Sequence, residues 1–413
     1  MIRELFYFLA IPLCLTPLKV LAETSEPSHE NSGVVLTRPI NSSPLSGISF
    51  TCTQEEITKI KLDFEKLFGS YGWLEPKIQV KTHLSAEGTQ LRLVLNTPST
   101  DTDTLTLNQR AELKLVDDID KVKDKDGNLK DYKHAGEKEI LAAMLQHGRL
   151  FEFDHGYCSF DKVMEQVKIR KNIIHWGIRA MWEFPDSGTS LINREKWNID
   201  GNLQKGVSST EAVADAFIGN FKYEIGCTRA CQQIMAQGIL DYFKNVKKDS
   251  VMTAYLDSVT QPHPYATMAM KGPSKKLMTR EGTLVDRHFD VPGNNWVPGD
   301  WGWIKNSDND SAEENGLEGC NIVYIGSGLF VVYYGDAKDR TLDECLVRVY
   351  QWRHSSKQQP ETQKLKDLLR KDPYDIDPGL LRNVRDFPKN FKSLPIDKQP
   401  TTKIMNLFPY ISD

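Results

Sequence analysis

Tyr223-Glu224-Ile225-Gly226-Cys227-Thr228-Arg229-Ala230 reads as a short loop that turns into a helix, with a cysteine at the turn. Over 228–244 apolar residues recur at helical spacing: Ala230, Ile234, Met235, Ile239, Leu240 and Phe243. A thiol in a first helical turn faces the positive end of the helix dipole and unpaired backbone N–H groups. Both favour the thiolate, which is the nucleophilic form. The competing reading is a core thiol or half of a disulfide, because cysteine is among the most commonly buried residue types. The surrounding chain decides between them.

Upstream, 138–145 and 160–182 carry helical apolar spacing, the latter through Val163, Val167, Ile173, Ile174, Ile178 and Met181. Beyond Leu277 the pattern is strand-like, at 283–285, 301–304, 321–325 and 329–333. Helices followed by an antiparallel sheet make an α+β unit. A helix-opening cysteine, then a strand with a histidine, then further strands is the order of papain-like enzymes, in which the base arrives from the sheet. That histidine is His288, with Asp286 or Asp290 to orient it.

The N-terminal residues combine Arg3, an apolar run over 5–18 and Val20-Leu21-Ala22 before the polar Glu23, which predicts a signal peptide over 1–22. The run is shorter than the ~20 residues needed to span a bilayer. The expectation is therefore an exported protein, periplasmic or secreted, with no membrane span after cleavage. Lys and Arg number 52 against 56 Asp and Glu, a net charge of −4, so the chain carries no basic excess and no nucleic-acid partner is expected.

With 39% apolar residues the 413-residue chain buries a large core and divides into units. The expected units are a spacer over 23–50, a small α+β domain over 51–135, the cysteine-bearing domain over 136–354 and a loosely structured polar tail over 355–413. Within the small domain a helix is predicted over 55–68 and strands at 77–81, 91–95 and 111–115, with the charged stretch 117–133 as a solvated linker. Six cysteines remain after cleavage, an even count that an oxidising compartment can pair, though spacing leaves the pairing open. Cys227 and Cys231 lack C-x-x-C spacing and no second ligand pair follows, so no metal site is expected.

Four segments carry more specific information: Lys168-Ile169-Arg170-Lys171-Asn172-Ile173-Ile174, then 223–230, then Pro298-Gly299-Asp300-Trp301-Gly302-Trp303-Ile304-Lys305-Asn306, then Glu318-Gly319-Cys320-Asn321-Ile322-Val323-Tyr324-Ile325-Gly326. In that order they resemble blocks of the bacterial spore-coat protein-glutamine γ-glutamyltransferase (transglutaminase) family. Asp286-Arg287-His288 is similar to that family's Asp-Trp-His. The resemblance spans about half the chain, roughly 151–352. It implies a papain-like fold related to NlpC/P60 cell-wall peptidases, a nucleophile at Cys227, no metal or organic cofactor, and protein partners with accessible glutamine and lysine side chains.

Three positions depart from the family pattern. Gly226 and Cys320 stand where the family has glutamates, and Tyr333-Tyr334 stands where it has His-Gly. Proton transfer would then fall to Glu318, two residues before Cys320 and so on the same face of an extended segment, or to His288. Glu224, two residues before Gly226, is the third candidate by the same spacing, with an ordinary solvated charge the favoured reading. The catalytic set expected from the sequence is Cys227, His288 and Glu318. A cysteine at an active-site position also predicts a Cys227–Cys320 disulfide or a site kept for structure alone, with Cys231 the competing partner. The other outcomes are an NlpC/P60-type amidase that uses water as acceptor and a secreted binding protein that keeps the fold without activity.

Overall fold

The computed structural model describes 47–349, apart from 74–76, 86–87, 97–104, 106, 125–126, 147–149, 155, 186–190, 199–200, 261–283, 290–295, 307–310, 312–316, 332–339, 343 and 346–347, together with 381–388. The predicted signal peptide and most of the predicted spacer lie outside these residues. No helix among them is long and apolar enough to cross a membrane.

A first sheet has the order β2-β3-β1-β6, built from β1 (Gly47–Cys52), β2 (Ile78–Ser85), β3 (Gly88–Leu95) and β6 (Leu150–Phe153). β1 starts inside the stretch expected to be spacer, because Ile48, Phe50 and Cys52 alternate onto the buried face. Helix α1 (Gln54–Tyr71) covers that sheet with Ile57, Ile60, Phe64 and Phe68. Thr53 and Glu56 close a reciprocal capping box at its start, and Gly72 ends it in the left-handed conformation. β6 runs parallel to β1, and one cluster of buried side chains continues across the position where the first domain was expected to end. A Cys52–Cys158 disulfide, Cα atoms 5.9 Å apart, ties the end of β1 to the chain just ahead of the next long helix.

Two local expectations are corrected here. Residues 111–115 are not a strand: Ala111 and Glu112 finish helix α2 (Leu107–Glu112), and the Leu113 carbonyl beyond it accepts from the Trp73 indole at 3.0 Å. The charged linker is a hairpin of β4 (Asp118–Lys123) and β5 (Leu129–His134). Of its apolar side chains only Val122 and Tyr132 are buried, too few to show as a strand period in the sequence. Charge anchors it instead, through Asp120 paired with Arg179 at 2.7 Å, with the His175 imidazole at 3.3 Å from the same carboxylate.

Helices α3 (Glu137–Leu145), α4 (Phe160–Arg179), α5 (Ser209–Ile218), α6 (Cys227–Asp241) and α7 (Ser250–Val259) follow, with a π-helical turn at Tyr242–Val246 after α6. Helices α4 and α6 pack closely where Gly238 meets Ile173; a Cβ on Gly238 would lie 2.6 Å from the Ile173 Cα. Asn172 secures the crossing by donating to the Gly238 carbonyl at 2.8 Å and to Asp241 at 3.0 Å.

The main sheet is antiparallel, in the order β11-β10-β9-β8-β12-β7. Its strands are β7 (Val285–Phe289), β8 (Trp301–Lys305), β9 (Gly319–Gly326), β10 (Leu329–Val331), β11 (Arg340–Thr341) and β12 (Leu381–Pro388). β12 comes from the region read as a loose tail and inserts between β8 and β7. Every residue of β9 is buried, so both faces of the sheet are covered there. One face carries Trp301, Val323, Ile325 and Val331 into the core shared with the helices. The other holds Trp296, Tyr324 and Phe330; Phe330 meets Trp296 edge-on and Tyr324 at a tilt, with centroids 4.8 Å apart in each pair. The result is α+β with the cysteine helix packed on an antiparallel sheet, the papain-like arrangement.

Candidate active site

The loop before α6 is fixed by its own residues. Glu224 exchanges two backbone hydrogen bonds with Leu191, and the Ile225 N–H donates to the Glu183 carbonyl at 3.0 Å. The Tyr223 hydroxyl donates to Asp215 at 2.6 Å and accepts from Trp197 at 3.2 Å. Gly226 is the N-cap and places no side-chain oxygen over the first turn. Cys227 is thereby held at the first helical position, partly buried. Space opens before it, since a Cβ built on Gly226 meets nothing within 4 Å.

Asn321 on β9 reaches across to this sulfur. Its Nδ2 donates to Cys227 Sγ at 3.1 Å and to Thr228 Oγ1 at 3.2 Å, while its Oδ1 accepts from the Trp301 indole at 3.0 Å. The sequence reading missed Asn321. Its only signal was its place in the Gly319-Cys320-Asn321 block.

Burial pushes the Cys227 thiol above its ordinary value. The Asn321 amide opposes this, the Glu318 carboxylate adds to it, and the Thr228 N–H and hydroxyl oppose it. Burial thus works against the thiolate that the helix terminus is expected to favour.

Cys227 and Cys320 form no disulfide, and neither Cys231 nor Cys345 is disulfide-bonded among the described residues. Alternation along β9 explains the first case. Asn321 points to α6, so Cys320 points to the opposite face, where its buried thiol is pushed up to about 12. Cys345, also buried, lies close enough for Cys320 to raise its thiol in turn. Cys231 is fully buried within α6. Iodoacetamide on the native protein is therefore expected to label Cys227 ahead of Cys231, Cys320 and Cys345, with all four labelled once the chain is unfolded. Peptide mass mapping reads this directly, and equal native labelling of Cys320 and Cys227 would contradict the two-face arrangement.

The remaining sequence candidates divide. Glu318 is exposed just ahead of β9, near enough for its charge to act on Cys227. His288 lies on β7, the sheet edge, paired with Arg385 of β12. β12 and β8 separate β7 from β9, roughly 14 Å at ordinary strand spacing. The His288, Asp286 and Asp290 side chains and Tyr333-Tyr334 lie outside the described residues. Glu224 is occupied by its backbone bridges and makes no described contact with Cys227.

The role of another pair was not legible in the sequence. Arg170 of α4 and Asp300, 1% and 0% exposed, pair at 2.8 Å. Arg170 also donates to the Pro298 carbonyl at 3.1 Å, and Asp300 accepts from the Val297 N–H at 2.9 Å. Gly299, at φ +90°, lets this loop touch Arg170, where a Cβ would lie 3.0 Å from the arginine's own. The clamp fixes the entry to β8 and hence Trp301.

A model of the protein-glutamine gamma-glutamyltransferase family matches residues 118–370, more than half of the chain. The chain belongs to this family. Its matched segment contains α6, β9 and the Arg170–Asp300 clamp. Among solved structures, a transglutaminase from Geobacillus stearothermophilus without its C-terminal extension is similar at 16% identity and a TM-score of 0.36, covering 51% of this chain and 97% of that one. No curated protein matches the chain.

Proposed function

We propose that this chain is an exported transglutaminase that joins protein glutamine to lysine through a thioester on Cys227. The observation that supports it most is Cys227 at the open first turn of α6, with the N–H groups of Asn321 and Thr228 turned to its sulfur. The ionised sulfur attacks the side-chain amide carbon of a glutamine, the C–N bond breaks, and ammonia leaves with an added proton. A neutral lysine amine then attacks the thioester carbonyl; a C–N bond forms, the C–S bond breaks, and the amine gives up a proton. The Cys52–Cys158 disulfide supports export, because such bonds persist in oxidising compartments.

Proton transfer is assigned to Glu318 rather than His288, since Glu318 already acts on the sulfur and two strands stand between β7 and β9. Two roles then separate by experiment. Glu318→Gln removes a negative charge that disfavours the thiolate, so iodoacetamide alkylation of Cys227 rises by about two- to fivefold, the scale of one exposed charge pair. Added salt erases that gain. Amine incorporation falls instead, by roughly 10², because the proton carrier is gone. Both rates moving together would remove Glu318 from the mechanism.

The overall reading is tested by supplying a fluorescent primary amine and a glutamine-rich acceptor protein. Covalent labelling of the acceptor with equimolar ammonia release is expected. Ammonia release without amine incorporation, or release of peptides from peptidoglycan, would overturn it.

A further inference from the structure

We propose that Asn321, alongside Thr228, stabilises the Cys227 thiolate, and that Trp301 is the positioning residue that keeps the amide nitrogen, not the oxygen, turned to the sulfur. The inference rests on Cys227 being the nucleophile. It begins with the indole, which can only donate. Trp301 Nε1 lies 3.0 Å from one end of the Asn321 amide, so that end must be the oxygen. The other end is the NH2 group, and its two hydrogens have two acceptors in place: Cys227 Sγ at 3.1 Å and Thr228 Oγ1 at 3.2 Å. Reversing the amide would set two N–H donors against each other and aim an oxygen lone pair at the sulfur.

Burial keeps this orientation. Asn321 is 2% exposed and Trp301 4%, so water cannot take over either bond. Residue pairing along the strands supplies the geometry: Trp303 lies opposite Asn321 and Trp301 opposite Val323, which puts Asn321 and Trp301 on the same face, toward α6. A hydrogen bond to an ionised acceptor is roughly twice as strong as one to a neutral acceptor. The Asn321 bond therefore strengthens when the thiol loses its proton, and Asn321 itself loses none. When the sulfur bonds to the glutamine carbonyl carbon its negative charge disappears and the bond weakens again, so Asn321 favours the attacking form over the acylated one.

The test is the pH dependence of iodoacetamide alkylation at Cys227, measured on the full chain by peptide mass mapping. Asn321→Ala should move the midpoint up by about one pH unit, which lowers the rate at pH 8 about tenfold, with the high-pH plateau unchanged. Asn321→Asp, nearly isosteric, places a carboxylate beside the sulfur and should move the midpoint further up. Trp301→Phe, which only frees the amide to turn, should move it the same way by a smaller step, about threefold in rate at pH 8. A purely structural role would change the plateau or the melting temperature and leave the midpoint in place. Asn321→Ala and Asn321→Asp profiles that superimpose on the parent would overturn the proposal. If the alanine variant does not fold, an Asn321→Asp midpoint at or below the parent's overturns it alone. Alkylation needs neither glutamine nor lysine, so failure of the cross-linking reading leaves this result standing, and the reverse holds too.

Discussion

Cys227→Ala is expected to lower amine incorporation to background, a loss of about 10³-fold or more, while the protein stays folded. The size follows from the chemistry: without the sulfur no thioester forms, and the groups left behind can only hold the substrate. Retention of the fold follows from the contacts. Among the described residues the sulfur's polar partners are Asn321 and Thr228, and in the variant the Asn321 amide still donates to Thr228 Oγ1 and accepts from Trp301. Only the weak bonds to sulfur from the Asn321 amide and from the Thr228 N–H and hydroxyl are lost, about 1 kcal/mol each at most. Activity and stability therefore separate, which a residue with a packing role could not produce. The intermediate gives a second readout. Parent enzyme mixed with a glutamine peptide and no amine should gain the mass of the peptide less ammonia on the peptide containing Cys227, and the alanine variant should gain nothing. Amine incorporation that persists in Cys227→Ala would remove this residue from the reaction. Because the thiol sits above its ordinary value, the parent's rate should also climb with pH on the alkaline side, as the thiolate fraction grows.

How far the site could be read from sequence depended on whether a residue acts through its own chain neighbours. Helix α6 and its cysteine were legible because the loop, the glycine and the apolar repeat are local signals. The helical spacing of α4 was equally clear, as were the strands β8 and β9. What Cys320 does was not legible. Its place in a family-like block suggested a partner for Cys227, but on a strand the side-chain direction reverses at each residue, and it is Asn321 whose parity faces the helix. The β4–β5 hairpin was hidden for a different reason: its fixing interactions are ionic, so the sequence shows a charge run and no apolar alternation. β12 is a third case. Its eight residues show no apolar alternation of their own and gain strand structure by filling the position between β8 and β7.

Arg170→Met should destabilise the protein by about 3–5 kcal/mol, because it leaves Asp300 fully buried with its positive partner gone. At roughly 2–4 °C per kcal/mol for a unit of this size, the melting temperature falls by about 10 °C. The loss is not confined to one ion pair. Arg170 also donates to Pro298 while Asp300 accepts from Val297, so the 296–300 loop is held by both halves of the pair at once. Asp300 directly precedes Trp301, whose indole orients Asn321, so a loosened loop should also reduce Cys227 alkylation at pH 8 in those molecules that remain folded. Replacing both members, Arg170→Met with Asp300→Leu, removes the unpaired charge and should recover part of the stability. It should not recover the alkylation rate, since the backbone carbonyls and N–H of the loop remain without their side-chain partners. Thermal melts and alkylation profiles on the three variants separate these effects. A double variant no more stable than Arg170→Met would mean that the loop's backbone contacts, rather than the buried charge, carry the stabilisation.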